Sequence, residues 1–114
     1  MFRIDNGCLT GFNNIENPNT DLIVPEGVTS IVFGAFEGCK NITSVALPIS
    51  CKIISANAFL GCESLRSILP IEGIEDIGEQ AFRDCQNLID FKIPLGVTIL
   101  HKNLFQGCIN LKYV

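Results

Sequence analysis

Phe36, Phe59, Phe82 and Phe105 stand 23 residues apart, and each is followed three residues later by a cysteine, Cys39, Cys62, Cys85 and Cys108. A chain that repeats at a fixed period without slippage is built from one small unit stacked on itself. The same offset aligns Val28, Cys51, Ile74 and Val97; Ile31, Ile54, Ile77 and Leu100; Ala35, Ala58, Ala81 and Leu104; and Ile42, Leu65, Leu88 and Leu111. Each column holds one kind of side chain, so the columns predict one continuous core that no unit could bury alone. A proline column, Pro25, Pro48 and Pro94, has one local exchange: in the third unit Pro70 stands one place early and Ile71 fills the slot.

Within a unit, Ile42-x-x-Val45-x-Leu47 reads as a short strand with Val45 and Leu47 inward and Ser44 and Ala46 outward. The proline that follows ends it, because proline cannot donate to a sheet ladder. Gly38, Gly61 and Gly107 suit the turn before each cysteine, and Asp84 replaces the fourth glycine there, being among the residues that best tolerate a left-handed backbone. Residues 1–24 depart from the pattern, with Asn13 and Glu16 where the Phe/Cys pair would fall. Asp5-Asn6-Gly7 between Phe2-Arg3-Ile4 and Cys8-Leu9 is a hairpin signal, and Asn13 to Asp21, with Pro18 inside it, reads as a polar loop. The expected organisation is a capping hairpin and loop over 1–24 and four 23-residue units over 25–114. The last unit is incomplete and stops at Val114 inside its strand.

Among 114 residues, 47% are apolar and 18% charged, the balance of a single globular domain able to bury a core. The net charge of −4 comes with scattered Lys and Arg, which argues against a phosphate backbone or an anionic membrane as partner. No apolar run approaches the ~20 residues needed to cross a bilayer, and no basic-then-apolar leader precedes Phe2. A soluble chain, without membrane insertion and without nucleic acid, is expected.

The stretch Ala35 through Ile54, with the pattern A-F-x-G-C-x-N-L-x-x-V-x-L-P-x-x-V-x-x-I, resembles the BspA-type leucine-rich repeats of bacterial and protozoan surface proteins. Phe2 through Phe12, leading to Leu22-Ile23-Val24-Pro25, resembles the segment that often opens such arrays. The resemblance implies a β-rich solenoid, a leucine-rich repeat right-handed superhelix with one short parallel strand per repeat and an N-terminal β-hairpin cap. It also implies display at the cell surface or secretion as part of a longer protein, and adhesion or recognition of host or partner proteins, with no catalytic residues to carry over. Ser50, Cys51 and the Ile71 exchange depart from the pattern.

Catalytic and metal chemistry find little support in the residues. A tetrahedral zinc site gathers four sulfurs at ~2.3 Å, whereas stacked units set their cysteines in a line ~4.8 Å apart. In-register thiols would also have to rotate to reach the ~90° torsion of a disulfide, so a ladder of buried free thiols is expected. His101, the one histidine, is equivalent to Ser55 and Gly78, and has no nucleophile with a claim on it; a surface position is expected. Glu72-Gly73-Ile74-Glu75-Asp76 reads as a solvated turn. Asn41-Ile42-Thr43 matches a glycosylation sequon, but Asn41, Asn87 and Asn110 share a column and are better read as bonding turn backbone. No cofactor, no metal and no enzymatic activity are expected.

The outward strand positions line up in two rows, Asp21, Ser44, Ser67, Asp90 and Tyr113, and beside it Ile23, Ala46, Leu69 and Lys92. Small polar residues flanking an apolar patch form a face that a protein ligand, of identity not given by the sequence, could cover. Short outward residues also simply suit a parallel sheet, so a structural spacer without a ligand stays open, as does a cytoplasmic location. Phe105, Leu111 and Val114 belong to core columns with no following unit, which leads to an expectation of self-association through the C-terminal end.

Overall fold

The computed structural model describes residues 2–12 and 20–112. It contains β1 (Phe2–Asp5), β2 (Cys8–Phe12), β3 (Thr20–Ile23), β4 (Ser30–Ile31), β5 (Ile42–Ala46), β6 (Ile53–Ile54), β7 (Ser67–Leu69) and β8 (Asp76–Ile77), with no helix among the described residues. The eight strands form two ribbons. One runs β3-β5-β7, and the other runs β1-β2-β4-β6-β8. Apart from the antiparallel pair β1–β2, every pairing is parallel, and the repeats pair at the sequence period: Ser44 with Ser67, Val45 with Ile68, Ile31 with Ile54, Ile54 with Ile77.

This corrects the expectation of one strand per repeat: the first three units each contribute two. The second strand is only two residues long, with Ser30, Ile53 or Asp76 outward and Ile31, Ile54 or Ile77 fully buried. Two residues are too few for an alternation to stand out in sequence. The hairpin β1–β2 forms at Asp5-Asn6-Gly7, with Asn6 and Gly7 both at positive φ, and β2 pairs with β4 through Leu9 and Ile31. The hairpin therefore covers the first unit as a member of its ribbon. Phe12 supplies the aromatic ring that the column lacks at Asn13, packing 5.4 Å from Phe36.

The core lies between the ribbons. Phe36, Phe59 and Phe82 have no exposed surface, and their rings stack nearly parallel at 5.0 and 5.4 Å, a consequence of identical rotamers repeated at one rise. The turn between ribbons is tied by a regular lattice. Gly34, Phe36 and Gly38 donate to the carbonyls of Ala56, Ala58 and Leu60; Asn57, Phe59 and Gly61 to Glu79, Ala81 and Arg83; and Gln80, Phe82 and Asp84 to Lys102, Leu104 and Gln106. The turn needs a left-handed residue at two places. One is the expected column of Gly38, Gly61, Asp84 and Gly107; the other is Gly34, Asn57, Gln80 and Asn103, which the sequence reading passed over.

The thiols complete the lattice. Cys62, Cys85 and Cys108 donate to the carbonyls of Phe36, Phe59 and Phe82 at 3.1, 3.1 and 3.0 Å, and all six cysteines are free. Burial pushes the Cys62 and Cys85 thiols far above the ordinary thiol range, reinforced by the neighbouring thiols, while Cys108 is pushed up to about 11, chiefly by burial. Asn87 and Asn110 donate to the carbonyls of Glu63 and Gln86, one unit back, which is the backbone-bonding role expected of that column.

The fourth unit holds to the third through the turn lattice, and neither ribbon continues into it as a strand. On the β7 side the cause is chemical. Val24 and Leu47 donate their N–H groups to the carbonyls of Ala46 and Leu69, one unit on. Pro70 occupies the equivalent position and has no N–H to offer Lys92. Ile89 still donates to Arg66 at 3.3 Å, but beyond Asp90 the expected strand is absent. On the β8 side Leu100 is 60% exposed where Ile31, Ile54 and Ile77 are fully buried, so its assignment to a core column is corrected: with strand pairing lost, its side chain stands in solvent.

Candidate functional site

The β3-β5-β7 ribbon turns alternate side chains away from the core, and its register sets them in rows. Asp21, Ser44 and Ser67 are partners in one row, and Ile23, Ala46 and Leu69 in the next. Asp90 and Lys92 lie beyond them, in a segment that is not a paired strand past Asp90. Tyr113 falls outside the described residues.

The polar row is knitted together at one end. Asp21 Oδ1 accepts hydrogen bonds from the Ser44 hydroxyl at 2.7 Å and the Thr43 hydroxyl at 2.9 Å. These two hydroxyls, Ser44 first, hold the Asp21 carboxyl below its usual value, since hydrogen bonds to the ionised form favour it. Thr43 also donates to the carbonyl of Thr20 at 3.1 Å. Asp21, Thr43, Ser44, Arg66 and Ser67 line a shallow depression of about 290 Å³. Beside it the apolar row is open to solvent: Ile23 is 77% and Leu69 57% exposed. Leaving branched aliphatic side chains in water forgoes the stabilisation their burial would bring, about 1.5–3 kcal/mol for a whole side chain.

The sequence reading did not find the larger concavity. A cleft of about 900 Å³ opens where β7 and the following unit separate, lined by Ile68, Leu69, Ile71, Glu72, Asp90, Phe91, Lys92, Ile93, Pro94 and Leu95. Its walls are mostly apolar, and its charged groups are Glu72, Asp90 and Lys92. The signal was present in the Pro70/Ile71 exchange, which withdraws the ladder donor at the point where the cleft begins. Leu69 belongs to both the apolar row and the cleft, so the two form one continuous surface.

Nothing in this surface resembles a reaction centre. His101 is half-buried on the opposite ribbon side, with Nε2 3.7 Å from Asp76 Oδ1. The buried thiols of the turn lattice are engaged with carbonyls. Among the described residues no group of three or more His, Cys, Asp or Glu is placed to hold a metal ion, and no helix is long and apolar enough to cross a membrane.

Comparison with known proteins bears on the architecture. A family model described as "BspA type Leucine rich repeat region" matches residues 3–114 in six copies. No curated protein matches the chain. Among crystal structures, a leucine-rich repeat protein of T. pallidum superposes with a TM-score of 0.66 at 21% identity, over 93% of this chain and 72% of that one. A leucine-rich cell surface protein from Faecalibacterium prausnitzii gives 0.63 at 27% identity, over 93% of this chain and 34% of that one. A leucine-rich repeat protein from Bacteroides ovatus gives 0.58 at 25% identity, over 99% and 38%. The chain thus spans only about a third of the length of the last two.

Proposed function

Because the chain belongs to the BspA-type leucine-rich repeat family, we propose that it is a non-catalytic protein-binding module of a cell-surface or secreted protein, serving adhesion or recognition of a partner protein. The observation that carries this reading is the solvent-exposed row Ile23, Ala46 and Leu69, held flat between polar neighbours on a hydrogen-bonded ribbon. An apolar strip with a polar border is what the centre of a protein interface requires. The proposed contact residues are Asp21, Ile23, Ser44, Ala46, Ser67, Leu69, Asp90, Lys92 and Tyr113. The cell-surface assignment of the F. prausnitzii structure supports the location. Within this reading residues 1–24 act as a cap on four repeats, the superhelix is right-handed as parallel crossovers overwhelmingly are, and the C-terminal face associates with further copies or units.

The test is binding of the folded protein to immobilised matrix proteins and to cell-surface extracts, compared with an Ile23→Asp/Ala46→Asp variant. Both positions are outward, so the thermal melt should shift little while captured partner falls to background. Equal capture by the variant would mean that the ribbon face is a spacer surface with no ligand of its own.

A further inference from the structure

We propose that the cleft between β7 and residues 90–95 is an anchoring site for an extended peptide that alternates apolar and basic side chains, supplied by the partner protein. The inference rests on the reading of the ribbon face as a protein-binding surface, and it names the chemistry of the segment that face would take.

Three features of the cleft select this occupant. First, the backbone is short of one donor. Elsewhere the residue after the strand gives its N–H to the next unit, Val24 to Ala46 and Leu47 to Leu69; Pro70 has none, and no described backbone group donates to the Lys92 carbonyl. A carbonyl beside an apolar groove is stabilised by any N–H that reaches it, and a peptide backbone brings one every residue. Second, the walls are aliphatic and aromatic. Leu69, Ile71, Phe91, Ile93 and Leu95 line it, and a space of about 900 Å³ lies within the range of ligand pockets, ~300–1,000 Å³. In an extended peptide alternate side chains point to one side, so apolar groups can enter while their neighbours face the rim. Third, the rim is acidic. Glu72 and Asp90 face a single Lys92, and the chain as a whole carries a charge of −4, so a basic residue on the peptide's other side meets net negative charge.

The test uses a fluorescein-labelled hexapeptide, acetylated and amidated, in which arginine alternates with leucine and phenylalanine, and a second in which glutamate replaces arginine. Fluorescence anisotropy with the full chain should show saturable binding of the basic peptide, at least about ten-fold tighter than of the acidic one, with the difference shrinking as salt is added. A Glu72→Lys/Asp90→Lys variant should reverse the preference. Methylating the peptide's backbone nitrogens should weaken binding, because the Lys92 carbonyl then loses its donor. The Pro70→Ile/Ile71→Pro exchange restores the ladder donor, closes the cleft and should abolish binding; should that variant not fold, Leu95→Asp tests the same wall from a fully exposed position. Equal binding of both peptides, or unchanged binding by the charge-reversed variant, overturns the proposal. So does a dimer in sedimentation velocity that dissociates on Leu95→Asp, which would assign the cleft to a second copy. Ile23→Asp separates the two readings: it lies outside the cleft, so it should leave peptide affinity intact even where it removes partner capture. Retained peptide binding with no partner capture by any form of the protein would sink the surface function and leave the cleft.

Discussion

Truncating Phe59 or Phe82 to alanine removes a fully buried ring stacked on both sides. The expected loss is about 3–5 kcal/mol, whereas His101→Ala, at a half-exposed side chain, should cost within about 0.5 kcal/mol; chemical melts of the three variants check it. The thiols give a second prediction. Their folded pKa values are raised by burial, so the folded state favours the protonated form. Their contribution is therefore complete below the ordinary thiol range, near ~8.5, and is lost as pH rises above it towards the folded values. Unfolding curves from pH 7 to 10 should show a stability decline that is shallower in a Cys62→Ala/Cys85→Ala variant. At this scale the sequence was most readable: a column of identical side chains announces burial because stacking gives every copy the same surroundings. Asn57, Gln80 and Asn103 were harder to read, because only the backbone reveals that they share the left-handed turn position of Gly34.

Strands and turns obeyed the period until one donor was missing. Reversing the local exchange with Pro70→Ile/Ile71→Pro should return one rung to the ladder and raise stability by about 0.5–1.5 kcal/mol. The backbone amide that this variant gains at the Pro70 position should also exchange slowly in hydrogen–deuterium exchange; exchange as fast as in an open loop would show that something other than the proline parts the units. Gly78 provides the opposite case. A Cβ there would meet the backbone of Ser55 and Ala56, so Gly78→Val should force the second and third units apart, at about 1–3 kcal/mol in a thermal melt. The Pro70/Ile71 exchange was legible in the sequence as an irregularity. Its consequence was not, since a missing N–H matters only once the carbonyl that awaited it is located. The outward rows were legible for the same reason as the core columns, by two-residue alternation, while the cleft is a property of two segments failing to pair.

For the whole molecule, the fourth unit leaves Leu95, Ile99, Leu100 and Ile109 in solvent. Apolar surface gathered at one end favours association, so sedimentation over a concentration series should show reversible self-association that Leu100→Asp suppresses; a strictly monomeric protein at high concentration contradicts this. The turn lattice constrains its form. Every one of its bonds points from an N–H in one unit to a carbonyl in the next, so the equivalent groups of Asn103, Phe105 and Gly107 have no such partner among the described residues. Two copies meeting by these faces would oppose donors to donors.

That one-way lattice has an electrical consequence. In each of its three rows the peptide dipoles lie head to tail, as they do along a helix axis, and such dipoles add. The stack therefore has a positive pole at its last turn, even though the molecule is an anion overall. Adding identical units would lengthen the separation of the poles without changing either one. A repeat protein of this kind is a vector, and an approaching carboxylate or carbonyl can tell its end from its beginning before touching a side chain.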